Sequence, residues 1–156
     1  MVPIKLLLHI NSPKEKVFKA LTESSELSKW YTTIVNGIFN LNEIITVEFV
    51  NFAEFKFKVV VLVPNESIHL EIVESKFDNT GHLMKYDLDE NDGKTRVRYT
   101  YEGFSEMDDS YANMNYSSAK YLESLRQYCQ VGKGEAFGSP SYRSWINRKY
   151  EAYPIY

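Results

Sequence analysis

Apolar residues recur at every second position near the N-terminus and then change to a helical spacing. The alternation from Ile4 to Ile10 predicts a strand with one buried face. Directly after it, Ser12 is placed as an N-cap, Pro13 as the first helical residue, and Glu15 three positions beyond the serine. This spacing is typical of a capping box, in which proline costs no hydrogen bond because the first turn leaves its nitrogen unpaired. We therefore predict a strand followed at once by a short helix.

The segment that follows predicts a second short helix ending on two aromatic residues. Its start is placed at Ser24 or Ser25. Leu27, Trp30 and Tyr31 then fall at positions i, i+3 and i+4, which lie on one face of a helix. A solvated helix does not need two adjacent aromatic rings at its end. We expect these rings to close one end of an interior.

The period changes to two between Thr33 and Gly103, where apolar and polar residues alternate in several short runs. The turn sequences at 64–66 (Pro-Asn-Glu) and 91–93 (Asn-Asp-Gly) separate neighbouring runs and favour tight hairpins. Short connections between half-polar strands predict an antiparallel meander with one solvated face. Such a sheet must cover its apolar face with another element.

The covering element is predicted to be a long helix from Tyr111 to Val131. Asp108 or Asp109 can cap its start, and Gly132 is placed to end it. One face of this helix carries Tyr111, Met114, Ser118, Tyr121, Leu122, Leu125, Tyr128 and Cys129. The fold class is therefore predicted to be α+β. A curved antiparallel sheet of about seven strands wraps around the long helix, and two short helices follow the first strand.

The last segment, 139–156, has a separate amphipathic pattern. Its cap-plus-proline start is followed by aromatic and aliphatic residues near helical spacing, namely Tyr142, Trp145, Ile146, Tyr150 and Tyr153. We predict a main domain over 1–138 and a C-terminal helical extension over 139–156. An apolar stripe of this size has to be covered, so the extension is expected to pack on its own domain or on a dimer partner.

Composition narrows the class of protein. Aromatic residues make up 15% of the chain, with 12 Tyr and 9 Phe. Tyrosine combines apolar area with a hydroxyl, which suits a cavity or an interface, but the same rings can simply fill the core or rim of a curved sheet. The net charge of -3, without clusters of Lys and Arg, argues against nucleic-acid binding. A single cysteine excludes an internal disulfide, and we identify neither a signal peptide nor a membrane span. The predicted compartment is the cytoplasm.

Three segments resemble a known superfamily. They are SPKEKVFKALTESSELSKWY, GKTRVRYTYEGF and YLESLRQYCQVGKGEAF, and they span most of the range from Ile4 to Phe137. In their order and residues they resemble the START-like, helix-grip superfamily of birch-pollen-allergen-like proteins and polyketide cyclases. Within it, the chain is most similar to single-domain bacterial proteins related to the C-terminal domain of the activator of heat-shock-protein ATPase. The resemblance implies a helix-grip fold and gives little guidance to a ligand, because members bind very different small molecules.

Ligand-binding residues are predicted where strand parity turns side chains toward the long helix. These residues are Trp30, Tyr31, Tyr86, Tyr99, Tyr101, Tyr111, Met114 and Ser118. The leading hypothesis is a non-catalytic carrier or sensor that binds a small, largely apolar or aromatic molecule in a cavity between sheet and long helix. The chain is expected to be a monomer or a homodimer.

Two other functions stay open. One is a protein-interaction module of co-chaperone type, with a chaperone-type partner. The other is a cyclase- or dehydratase-like enzyme, which needs an acid–base pair facing the cavity, and only His82, Glu48 and Asp87 are eligible. Neither a cofactor nor a metal site is predicted, because one cysteine and three scattered histidines do not supply three or four convergent ligands.

Overall fold

A computed structural model of the protein describes residues 1–142. The elements are β1 (Ile4–Ile10), α1 (Lys14–Thr22), α2 (Ser24–Trp30), β2 (Ile34–Asn36), β3 (Ile44–Phe49), β4 (Ala53–Val63), β5 (Ser67–Glu74), β6 (Leu83–Asn91), β7 (Lys94–Glu102) and α3 (Asp109–Val131). Residues 143–156 lie outside the described part of the chain. The predicted C-terminal extension over 139–156 falls almost wholly on them, so both the extension and the division at 138 stay predictions.

The strands form one antiparallel sheet in the order β1-β7-β6-β5-β4-β3-β2. The first and last strands of the chain, β1 and β7, pair with each other at one side of the curved sheet. Helix α3 packs on the concave face, where Leu122 and Leu125 are buried. The α+β helix-grip fold with seven strands and two short helices after the first strand is therefore confirmed.

The two faces of the sheet differ as the alternating pattern predicts. On β6, Met84, Tyr86 and Leu88 are buried beneath the helices. The residues between them face outward and form cross-strand ion pairs, such as Lys85 Nζ with Glu102 Oε1 at 2.8 Å. Paired charges on an exposed strand face satisfy one another and remain in contact with solvent. The core of the protein thus lies entirely on the concave side.

Two of the predicted helix boundaries are confirmed and one is wrong. The Asp108 carboxylate accepts a hydrogen bond from the Tyr111 amide at 2.9 Å, and Gly132 ends α3 in the left-handed conformation with φ 81°. Ser12, in contrast, does not cap α1, which begins at Lys14 after Pro13. The backbone carbonyl of Ser12 accepts the Thr95 hydroxyl at 2.7 Å, so this residue is fixed to the sheet rather than turned toward the helix.

One end of the grip is covered by the segment 132–142, which returns across α2 after the long helix. The Phe137 amide donates to the Tyr31 carbonyl at 3.0 Å, and the Ser124 hydroxyl donates to the Trp30 carbonyl at 2.7 Å. The ring of Phe49 packs edge-on against Phe137 at 5.3 Å between centroids. We call this aromatic region, formed by Trp30, Tyr31, Phe49, Tyr121 and Phe137, the closed end.

Candidate functional site

The space between the sheet and α3 contains a small inner cavity of about 30 Å³. The predicted residues that border it are Tyr31, Tyr86, Tyr99, Tyr101, Met114 and Ser118. This volume is enough for roughly two water molecules and far below the roughly 300–1,000 Å³ of a typical ligand site. The large rings of β4, β6 and β7 meet the helix and fill the interior. A ligand of ordinary size therefore does not fit inside the grip as it stands.

Two predicted site residues, Trp30 and Tyr111, do not border this cavity. The Trp30 side chain is fully buried at the closed end, and its Nε1 donates to the Ala20 carbonyl at 2.8 Å. Tyr111 lies at the start of α3, where its hydroxyl donates to the Pro3 carbonyl at 3.1 Å. Both side chains are held by backbone carbonyls of neighbouring segments, and each of them joins elements together.

A larger pocket, open to solvent, lies at the end of the sheet where β4 and β6 begin and β5 and β7 end. It has a volume of about 510 Å³ and is formed by the loops around 52, 77–82 and 104 together with the first turns of α3. Its walls are Phe52, Phe77, Asp78, Asn79, His82, Tyr101, Phe104, Ser110, Asn113 and Met114. We call this pocket the mouth. Its size falls within the range of small-molecule sites.

Most of the mouth was not predicted from the sequence. Only Tyr101 and Met114 belong to the predicted ligand-binding residues. Phe52, Phe77 and Phe104 come from loops, where a sequence pattern gives no strand parity to show which way a ring points. The available signal was the presence of phenylalanine in stretches between the alternating runs, which is unusual for solvated loops.

Packing and a glycine set the position of His82 in the mouth. Its Nδ1 lies 2.9 Å from the Tyr101 hydroxyl, and its ring packs edge-on against Phe104 at 5.1 Å. A Cβ atom on Gly103 would lie 2.2 Å from the imidazole ring, so the absence of a side chain there makes room for it. Burial lowers the pKa of His82, and the nearby Asp78 carboxylate opposes this shift only in part. Burial therefore favours the neutral imidazole over the protonated form.

Tyr101 and Met114 border both the mouth and the inner cavity. These two side chains are the wall between the open pocket and the enclosed one. Methionine is unbranched and adapts its shape easily, whereas Tyr101 is held by its contact with His82. Of the two shared side chains, Met114 is therefore the more adaptable.

Several hydroxyl groups border the inner cavity, and none of the described residues that line it is charged. The hydroxyls of Tyr99 and Ser118 lie 2.9 Å apart, and the Tyr86 hydroxyl donates to the Met84 sulfur at 3.7 Å. Burial raises the pKa of both Tyr86 and Tyr99 above the ordinary range of a phenol. No Asp, Glu, His, Lys or Arg of the described residues borders this cavity.

The residues considered for acid–base chemistry do not converge. Asp87 lies on the outer face of the sheet, where it accepts from the Ser67 hydroxyl at 2.7 Å and contacts His69 Nε2 at 2.8 Å. Glu48 alternates with buried residues of β3 and also points outward. Only His82 borders a pocket. Within residues 1–142 there is no group of three or more His, Cys, Asp or Glu that could hold a metal ion.

These features define a helix-grip protein of the START-like type whose accessible pocket lies at the end of the grip rather than within it. A sequence model of the family described as "Activator of Hsp90 ATPase homolog 1-like protein" matches residues 11–130. The chain therefore belongs to this family. A comparison with curated proteins gives no match. None of the described helices is long and apolar enough to cross a membrane.

Solved structures show the same architecture. The Aha1 dimer from Colwellia psychrerythraea has a TM-score of 0.80 and 29% identity, and the match covers 86% of this chain and 100% of that one. A Staphylococcus saprophyticus protein has a TM-score of 0.73 and 16% identity, with 85% of this chain and 95% of that one covered. DynU16, from the dynemicin biosynthetic locus, has a TM-score of 0.76 and 13% identity, with 85% of this chain and 48% of that one covered. The last two matches show the fold alone.

Proposed function

We propose that the protein binds a small, largely apolar and aromatic ligand in the mouth, as a non-catalytic carrier or sensor. The observation that carries the proposal is the contrast in volume, about 510 Å³ in the mouth against about 30 Å³ in the inner cavity. An open pocket with several aromatic walls and a few polar groups is the usual form of a small-molecule site.

The aromatic wall of the mouth is held in place before any ligand arrives. The rings of Phe52 and Phe77 lie 5.8 Å apart, and Lys76 Nζ lies 5.2 Å and 5.4 Å from their centroids. The same ammonium donates to the Phe52 carbonyl at 2.5 Å, which joins the two loops. A wall fixed in this way supports binding, because less conformational freedom is lost when the ligand enters.

The test uses 2-ethylnaphthalene as the probe and a pair of matched variants. Binding at a free concentration about ten times the Kd should raise the melting temperature by about 3–6 °C. Asn113→Trp should abolish this rise because Asn113 is exposed and borders the mouth, so a bulky ring there fills the pocket without disturbing the core. Asn115→Trp is the control, since Asn115 is exposed on the same helix outside the mouth.

Two outcomes would count against the proposal. One is a melting temperature that does not respond to 2-ethylnaphthalene or to related bicyclic aromatic probes. The other is a response that Asn113→Trp leaves intact, since binding would then occur elsewhere on the protein.

A second candidate function is binding of a protein partner, and an exposed apolar segment favours it. Ile38 and Leu41, in the loop before β3, are 73% and 55% exposed, and Ile44 at the start of that strand is also exposed. Large apolar side chains grouped on a surface are typical of interaction sites. The family name suggests the assay, which is the ATPase rate of purified Hsp90. Stimulation that is lost in Ile38→Ser/Leu41→Ser would support this function, and no stimulation would contradict it.

A further inference from the structure

A hydroxyl group in the inner cavity has no partner in the described part of the chain. Ser117 lies on α3 with 3% of its surface exposed, and its Oγ makes no hydrogen bond to any of residues 1–142. A serine inside a helix usually donates to the carbonyl one turn earlier or points to solvent. Ser117 does neither and borders the cavity instead. A buried hydroxyl left unpaired is costly, so the cavity is built to receive a polar group.

We infer that the inner cavity is the terminal subsite of the ligand that enters the mouth, and that it recognises a neutral hydrogen-bonding group such as a hydroxyl. This inference rests on the proposed function and adds the chemical class of the ligand. The ligand is an aromatic body carrying a short alcohol, carbonyl or similar uncharged tip. The body lies against the aromatic wall, and the tip reaches Ser117.

The mouth and the inner cavity share two wall residues, so the path of the ligand tip from one to the other is short. Tyr101 and Met114 border both spaces, so a tip that displaces the Met114 side chain passes from one into the other. The contact between Tyr101 and His82 keeps the opposite side of the passage fixed. Only the unbranched methionine has to move, and a change of its rotamers requires no movement of the backbone.

The volume and polarity of the cavity restrict the tip. A space of about 30 Å³ accepts a hydroxymethyl or carbonyl group but not a second ring. Next to Ser117, the paired hydroxyls of Tyr99 and Ser118 offer further donors and acceptors. No charged residue within 1–142 borders the cavity to balance an ion. A carboxylate or an ammonium tip would lose its hydration without gaining a counter-charge, so both are excluded.

The experiment compares three probes of the same shape by calorimetry on the whole chain, namely 2-naphthalenemethanol, 2-ethylnaphthalene and 2-naphthoate. The alcohol should bind about fivefold more tightly than its apolar isostere, as expected for one additional buried hydrogen bond. The naphthoate should bind more weakly than either. In Ser117→Ala, which removes only the hydroxyl, the preference for the alcohol should fall to about twofold or less.

The matched control is Ser110→Ala, which removes a hydroxyl from the same helix at the mouth. It should leave the preference for the alcohol unchanged. If Ser110→Ala abolishes the preference and Ser117→Ala does not, the tip is bound in the mouth and the inference is wrong. Tighter binding of 2-naphthoate than of the alcohol would also overturn it.

The possible failures separate the two proposals. Equal binding of the alcohol and the isostere to both wild type and Ser117→Ala would overturn the terminal subsite and leave the mouth as the ligand site. Failure of all three probes to bind would overturn both. A higher melting temperature of ligand-free Ser117→Ala is a further expected result, because that variant no longer buries an unpaired hydroxyl. A lower one would show that the hydroxyl is already satisfied and would contradict the inference.

Discussion

The closed end and the mouth are built from the same kinds of aromatic residue, yet one is core and the other is a pocket. At the closed end, Phe49 is 1% exposed and its ring packs edge-on against Phe55 and Phe137 at 5.7 Å and 5.3 Å. At the mouth, Phe77 is 37% exposed and borders an open space of about 510 Å³. Phe77 also has ring neighbours, at 5.8 Å from both Phe52 and Phe55.

The difference lies in what covers the rings. At the closed end, α2 and the segment 132–142 supply a second layer, anchored by the Ser124 hydroxyl, which donates to the Trp30 carbonyl and accepts from the Glu135 amide at 2.7 Å each. At the mouth only loops and the first turns of α3 meet the sheet. Aromatic content alone therefore does not mark a binding site. A site requires rings that a second layer leaves uncovered.

Replacing one phenylalanine with alanine should destabilise the protein far more at the closed end than at the mouth. Phe49→Ala should lower the free energy of unfolding by about 3–5 kcal/mol, because it removes a fully enclosed ring and leaves a cavity. Phe77→Ala should cost about 1 kcal/mol or less, since that ring is partly in water and its removal enlarges an open space. Urea denaturation of both variants measures the difference. Equal losses would show that the mouth is as much a part of the core as the closed end.

A smaller effect on stability is expected at Gly134, where the segment 132–142 approaches α2. A Cβ atom on Gly134 would lie 2.8 Å from the Lys29 carbonyl oxygen and 2.9 Å from Trp30 Cβ. Gly134→Ala should therefore destabilise the protein by about 1–3 kcal/mol, as overpacking does. Where space is available, the same change usually stabilises by about 0.4–1 kcal/mol through the unfolded chain. Denaturant midpoints that rise in the variant would show that the cover of the closed end is loose.

The smallest effect is on how the free energy of unfolding depends on pH, and it arises from His82 in the mouth. Burial lowers the pKa of His82 below its value in the unfolded chain, so the unfolded state binds the proton more readily. The stability that neutral His82 contributes is complete above the unfolded pKa of about 6.5 and is lost as the pH falls through it. Wild type should therefore lose stability relative to His82→Asn between about pH 7.5 and 5 in urea titrations. If the difference in unfolding free energy between wild type and His82→Asn stays constant over this range, the burial of the imidazole is contradicted.

Hydrophobic periodicity was sufficient to predict the fold, because strands and amphipathic helices have periods that can be read from one sequence. The strand 94–102 shows this, since Val97, Tyr99 and Tyr101 are buried as their alternation predicts. The start of α1 was predicted wrongly, because the Thr95 hydroxyl binds the Ser12 carbonyl across 83 residues and no local pattern contains that contact.

The site was harder to predict than the fold. Periodicity identifies the residues that face the interior, and it therefore pointed to Tyr86, Tyr99 and Ser118. It does not show how completely large side chains fill that interior, which leaves only about 30 Å³ in the inner cavity. The mouth depends on loop residues such as Phe77 and Phe104, whose directions are set by tertiary contacts rather than by sequence spacing.

Amide chemical shifts during a titration with 2-naphthalenemethanol report where on the protein this ligand binds. Binding at the mouth should concentrate the shift changes at Phe77, His82, Phe104 and Asn113, while the indole N–H of Trp30 at the closed end keeps its position. Changes centred on Trp30 and the residues around Phe137, with the mouth unaffected, would contradict a ligand site at the mouth.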